Sequence, residues 1–380
     1  MRNVAILGVG QIGVAKHGTS SLRKLASSAC VQAMKDAGVD HVEAVFVGNM
    51  IATEATGQGH LGPLLAGELG CGPVECVSIN AACASGAAAV RQAYLAVASG
   101  QYRTVLAVGL EKMTSLDRSS LTRLLATAAD AELEVANSAT FLALNALLMQ
   151  RYMHEYHVNR TSFHPFVRVA HDNALRNPHA RLQESVSLES YLQARMIADP
   201  IGLYDCCPTG DGAAAVVLGR DLPARGAVVI TGSSSASDSL SLQERRNPLW
   251  LHAAEESCRS ALSQANRCLG EIDLLEPHDA FTVMVALSLE ACGFAERGRG
   301  TEFARDEGIG LRGRLPICTA GGLKARGHPV GATGVYQVIE AALQLRGEAG
   351  ANQVPGAAVA MTQSFGGTAA TVITHVLERC

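Results

Sequence analysis

A chain of 380 residues, 48 % hydrophobic but only 4 % aromatic, exceeds a usual single core and suits two domains, or one duplicated domain with an insertion. A net charge of −4, with no run of five basic residues, offers nothing to nucleic acid or to an anionic membrane surface. Its 11 cysteines, an odd number scattered through apolar segments without a CxxC pair, read as free thiols in a reducing compartment rather than a disulfide framework, and their spacing gives no expectation of zinc.

Strand and helix patterns alternate from the start, which is the rhythm of an α/β fold. VAILGVG reads as a strand entered at once, from Asn3, leaving no room for a signal peptide ahead of it. A helical period over Ser21 to Ala37 follows, then the strand VEAVFVGNM and a helix near Leu61 to Leu69. Cys76 to Ile79 reads as a buried strand and Ser85 to Ser99 as a helix of small residues, so Cys83 falls at the junction between them. There the unpaired N–H groups of the helix start favour thiolate over thiol, an effect able to lower a cysteine pKa from ~8.5 into the ~3.5–7.5 range. After the strand TVLAVGLEKM the alternation stops. Residues 114–205 carry irregular apolar spacing and mostly helical pieces, as expected of an inserted loop domain that shapes a binding site. The strand signal returns at Gly212, and the first half is therefore assigned residues 1–113 plus 206–222.

The second half, 223–380, restarts with AVVITGSSSAS, a helix from about Leu249 to Leu269, the strand IDLLEPHDA and a helix through Leu287. LPICTAGGLKARGHPVGATGVYQVIEAALQL follows, then the strands AAVAMTQSF and TAATVITHVL around Gly366-Gly367. It repeats the order of the first half, placing its own most Gly-rich loop before its third helix, which marks an internal duplication. No apolar stretch of about 18 residues runs uninterrupted, so no membrane span is expected and the cytoplasm is the expected location.

Besides Cys83, two segments at strand ends hold reactive groups: Glu276-Pro277-His278-Asp279-Ala280-Phe281 and Gly327-His328-Pro329-Val330-Gly331-Ala332-Thr333-Gly334. A cysteine paired with a remote histidine is what an acyl-accepting thiol needs. NAACASG, DCCPTGDGAAAVVLG, HDAF and GHPVGATG together, in this order along essentially the whole chain, resemble the thiolase superfamily. HDAF and HDNALRNPHARL resemble its sterol-carrier-protein-type and archaeal-type branches. The resemblance implies a five-layered αβαβα arrangement of duplicated βαβαβαββ halves, an acyl-enzyme on Cys83, and His328 activating that thiol. It also implies one oxyanion hole from His278 and His328, and a second from the backbone N–H of Cys83 and of Phe365 or Gly366.

The chain departs from the family at one point. Relatives carry a second reactive cysteine near the C-terminus or in place of the alanine of HDxF, whereas this chain has Gln363-Ser364-Phe365-Gly366 and Ala280. The α-carbon base is then His278 or His328, with Cys318 a candidate for that role or for packing alone. The expected reaction is Claisen condensation or thiolysis of β-ketoacyl-CoA. The alternatives are transfer to an activated acceptor such as a phenolic polyketide, and a non-catalytic subunit of a complex. No tightly bound cofactor and no metal is expected. Coenzyme A thioester is the substrate, held against residues 114–205, where Arg168 and His171 are candidate contacts although solvated positions are expected for both. The resemblance implies a homodimer or tetramer, with room for a separately encoded zinc-ribbon/OB-fold partner.

Overall fold

The computed structural model describes residues 4–220, 227–305 and 308–380. Asn3 and the expected seam between the halves at 222/223 lie outside the described residues.

In the first half β1 (Val4–Gln11) leads to α1 (Leu22–Ala37), which starts where Ser21 Oγ accepts the Lys24 N–H at 3.2 Å and ends at Gly38, φ +65°. There follow β2 (Ala44–Gly48), α2 (Ala52–Thr56), α3 (Leu61–Glu68), β3 (Glu75–Ile79), α4 (Ser85–Ser99) and β4 (Thr104–Glu111). The inserted segment contributes α5 (Arg118–Ala126), α6 (Phe141–Tyr156), α7 (His164–Ala174), α8 (Leu188–Gln193) and a small hairpin of β5 (Met196–Ala198) and β6 (Ile201–Gly202). β7 (Gly212–Gly219) closes the half. The second half runs β8 (Val228–Ser237), α9 (His252–Ala265), β9 (Leu274–Glu276), α10 (Thr282–Ala291), α11 (Gly300–Phe303), α12 (Thr333–Arg346), β10 (Val359–Gly366) and β11 (Thr371–Arg379).

The strand order β3-β2-β4-β7-β1-β8-β11-β10-β9 shows the duplication directly, since each half has its first strand at the centre and its second toward the rim. β1 and β8 meet edge to edge, Val4 opposite Ile230 and Ile6 opposite Val228, joining the halves into one nine-stranded sheet. The third strand of the second half is reduced to a single bridge between Leu275 and Ile317. Pro316 has no N–H to give, and Cys318 at φ +50° turns the chain away.

Period-2 alternation sorts the layers. On β7, Ala213, Ala215 and Val217 join the core under α1 and α3, while Ala214, Val216 and Leu218 face the core built around α4 and α12. On β11, Val372 and Val376 join the outer core of α9 and α10, and Leu377 faces inward. The two halves of this one sheet thus flank the α4 and α12 pair, with α1 and α3 packed outside one half and α9 and α10 outside the other, which is the expected five-layer stack. The inner pair approaches closely enough that a Cβ on Gly334 would collide with the Ala87 backbone, and one on Gly86 would lie 2.8 Å from the Gly331 carbonyl oxygen. Small residues are therefore a steric requirement in this layer.

β3 departs from expectation. Among the described residues it is the rim of the sheet, paired only with β2, and Glu75, Val77 and Ser78 are exposed where a buried strand was expected. A four-to-five-residue apolar run does not reveal which neighbours a strand has. The two ends of the inserted segment are tied by buried Asp211, whose carboxylate accepts the N–H groups of Met113 and Thr114 at 2.8 Å and the Thr114 hydroxyl at 2.6 Å. Among the described residues no helix is long and apolar enough to cross a membrane.

Candidate active site

The loop from β3 to α4 holds Cys83 through a left-handed residue, Ala82 at φ +49°. An alanine there stores roughly 1–3 kcal/mol of strain, so the surroundings must enforce it. They do so with Asn80 Oδ1 accepting the Ala82 N–H at 3.0 Å, Ser85 Oγ accepting the Ala81 N–H at 2.9 Å, and the Ser85 hydroxyl donating to the Ala82 carbonyl at 2.6 Å. Asn80 Nδ2 in turn donates to the Met50 carbonyl at 3.2 Å. The thiol is buried with Met50, Ile51, Met113 and Val330.

Two histidines from the other half converge on it. One ligating atom each from Cys83, His278 and His328 lie within 4.8 Å of one another, and all three side chains are buried. The imidazoles meet edge to face, centroids 5.1 Å apart at 84°, and the Phe365 ring backs His278 at 5.4 Å. The segment after the insertion stitches the motifs together. Cys207 N–H donates to the Ala280 carbonyl at 2.9 Å, and His328 N–H to the Pro208 carbonyl at 3.1 Å.

Thr333 settles which ring nitrogen of His328 carries the proton. Its one hydroxyl proton goes to the Pro329 carbonyl at 3.2 Å, which can only accept, so His328 Nδ1–H donates to Thr333 Oγ1 at 2.7 Å. Nε2 is left with its lone pair. Burial, then His278 and the Arg326 cation, hold the His328 pKa well below 6.5, while burial followed by Arg326 brings His278 down to about 3. Both are neutral imidazoles. Cys83 corrects the expectation drawn from the helix start: burial and the nearby Glu111 carboxylate push its thiol up to about 12, and its own backbone N–H opposes them only weakly. The free site therefore holds a thiol beside a neutral base.

A family model described as "Thiolase, N-terminal domain" matches residues 7–221, and one described as "Thiolase C-terminal domain-like" matches 234–379. The chain belongs to the thiolase family. It is 40 % identical to an acetyl-CoA acetyltransferase of Methanothermobacter thermautotrophicus over all of both chains. It is 29 % identical to human sterol carrier protein 2 over 98 % of this chain and 72 % of that one. Among solved structures, the Ltp2-ChsH2(DUF35) aldolase matches with a TM-score of 0.86 at 25 % identity, covering 99 % of this chain and 98 % of that one. The full-length likeness makes this thiolase an acyltransferase that acts on acyl-CoA, of the archaeal and sterol-carrier type.

Four positions that shape the thiolase site escaped sequence reasoning. Thr333 orients His328. Glu111, fully buried at the end of β4, accepts Asn49 Nδ2 at 2.8 Å, Met50 N–H at 3.0 Å and Gly331 N–H at 3.1 Å, tying the floor beneath Cys83 to the histidine loop; burial raises its pKa to about 7. Gln337 on α12 donates to the Pro277 carbonyl at 2.8 Å and to the Gln363 carbonyl at 3.1 Å, and accepts the Ser364 hydroxyl. Asp279 accepts the N–H groups of Leu323 at 2.7 Å and Lys324 at 3.2 Å, starting the π-helical turn Gly322–Arg326 that delivers His328. The available signal was a charged or amide residue interrupting an apolar run, as Glu111 ends TVLAVGLE and Gln337 sits inside GVYQVIEAAL.

The remaining sequence candidates fall outside the trio. Cys318 lies beneath Gly322 beside Asp279, and burial with the Asp279 and Glu276 carboxylates pushes its pKa well up. Gly366 ends β10 against the Ala81 carbonyl of the nucleophile loop, whereas the Phe365 ring packs on His278. His171, expected at the surface, is buried, with Nδ1 2.9 Å from the Glu184 carbonyl and its ring edge-on to Tyr204. Arg168 lines a cavity of about 1370 Å³ that does not include Cys83, His278 or His328.

Proposed function

We propose that Cys83 carries the acyl group and His328 moves the proton. Cys83 Sγ attacks the thioester carbonyl of the first acyl-CoA while His328 Nε2 takes the thiol proton; coenzyme A leaves and receives that proton. His328, neutral again, removes a proton from the α-carbon of the second acyl-CoA. The carbanion attacks the acyl-Cys83 carbonyl, the Cys83 sulfur leaves and takes the proton back from His328 Nε2, and β-ketoacyl-CoA forms. Thiolysis is the reverse. His278, with its ring N–H, and His328 bind the enolate oxygen of the attacking thioester, and the backbone N–H groups of Cys83 and Gly366 bind the oxygen on the acyl-enzyme. Each such donor is worth roughly 2.7–4 kcal/mol. The observation that carries this reading is the convergence of Cys83, His278 and His328 within 4.8 Å from three separated segments.

Cys318, bound up with Asp279, is assigned to packing. Ala280 and Ser364 occupy the positions where relatives carry the second cysteine, which favours a second reading in which the acceptor carbon is already acidic. Incubation with acetyl-CoA, other acyl-CoAs and acyl-phenols, followed by peptide mass measurement, separates the two. An acyl adduct on Cys83 discharged by CoA or acetyl-CoA supports the first reading. One discharged only by an acidic carbon supports the second, and no adduct from any donor overturns both.

We divide the chain into 1–113 plus 206–222, the inserted 114–205 and 223–380, and assign coenzyme A to the inserted face, with Arg168 its candidate phosphate contact. The exposed edge of β3 is assigned to a homodimer interface, and the free state of all eleven cysteines supports a cytoplasmic location. A separately encoded partner is supported by the solved relative whose name pairs it with a DUF35 protein.

A further inference from the structure

We propose that Cys83, His278 and His328 form a binding site for a thiophilic divalent cation of the zinc class, which blocks the acyl position reversibly. The coordination rests on side-chain geometry; only the blocking of turnover rests on the function proposed above.

One sulfur and two imidazole nitrogens, all buried and within 4.8 Å of one another, are a Cys-His-His donor set. A tetrahedral zinc ion, with Zn–S about 2.3 Å and Zn–N about 2.0–2.1 Å, places its donor atoms roughly 3.4–3.7 Å apart. Closing from 4.8 Å requires movements of about 1 Å, which small side-chain rotations supply. His328 is already arranged as a ligand: Nδ1 is held by Thr333 at 2.7 Å, which fixes the ring and leaves Nε2 to coordinate. His278 has bonding capacity to spare, since its Nδ1 is buried without a hydrogen-bond partner among the described residues. An asparagine at this position would leave one nitrogen and one sulfur ligand; the histidine of HDAF makes the third. Water completes the fourth position. Binding involves no redox change: Cys83 Sγ–H loses its proton to solvent, and the thiolate pairs its electrons with the metal.

Cobalt(II) is the probe. Added to the full-length protein after EDTA treatment, it is expected to bind one equivalent with a sulfur-to-cobalt charge-transfer band and the visible bands of a tetrahedral site. Zinc chloride should displace it and protect Cys83 from iodoacetamide, read from the mass of the Cys83 peptide. Cys83→Ser should abolish the charge-transfer band, and His278→Asn should weaken cobalt affinity by at least about 10-fold. Circular dichroism of each variant establishes that it is folded. No cobalt uptake overturns the proposal. So does uptake with the same spectrum in both variants, which means an adventitious ion only. Neither readout depends on turnover, so failure of Cys83 to accept an acyl group would leave the cobalt result standing.

Discussion

In the proposed mechanism, the buried Cys83 thiol and the Thr333 hydroxyl that orients His328 separate this site from a simple helix-terminus thiolate. A cysteine activated by the helix start alone would be largely ionised at neutral pH, and its alkylation rate would level off below about pH 8. Here the thiol is pushed up to about 12, so its thiolate fraction keeps growing with pH. Iodoacetamide modification of Cys83, followed by peptide mass, is expected to accelerate past pH 9.5 without a plateau; levelling near neutrality would restore the thiolate reading. His328, the proposed base, behaves in the opposite sense. Because the His328 pKa lies well below 6.5, the ring stays unprotonated as pH falls through that value, and kcat/KM for acylation should remain flat there. Thr333→Val removes the oxygen that orients His328 and should lower kcat by about 100-fold with little change in KM, whereas Thr333→Ser should recover most of the rate. A drop that serine does not rescue would assign Thr333 to packing alone.

At the scale of elements, the contact between α4 and α12 decides whether the trio can assemble, because α4 begins two residues after Cys83 and α12 begins five after His328. Gly334 sits against Ala87 with no room for a side chain. Gly334→Ala is expected to destabilise the protein by about 1–3 kcal/mol, read as a lower urea midpoint. It should also reduce acylation, because separating the helices moves His328 from Cys83. An unchanged midpoint would mean that the helices slide apart without cost. The alternation of βα units was legible from periodicity, as was the inward face of α4. The shortening of the strand at Ile317 to one bridge was not, because its apolar pattern is that of a full strand while Pro316 and the turn at Cys318 cut the pairing short.

On the scale of the whole molecule, β3 leaves an open rim with Val77 41 % exposed, and an unpaired strand edge bearing an apolar side chain is a template for another strand. In the proposed homodimer this rim is covered by a second copy. Val77→Arg should then shift the species seen by sedimentation velocity toward monomer, whereas an unaltered distribution would place the interface elsewhere. Position along the chain gave no warning of the exposure, since pairing partners come from the sheet order and not from the run itself.

The sequence by itself determined the family, the duplication and the three side chains that meet at the site, because motifs in fixed order carry the chemistry whatever their distance in space. Only the tertiary structure decided their proton states. The cost of burying charge depends on what surrounds a group, so the same helix start that favours a thiolate in water is outweighed by Met50, Met113, Val330 and the Glu111 carboxylate. The roles of Thr333, Gln337 and Asp279 belong to the same class: each acts through a hydrogen bond whose partner is fixed only once the two halves have closed on one another.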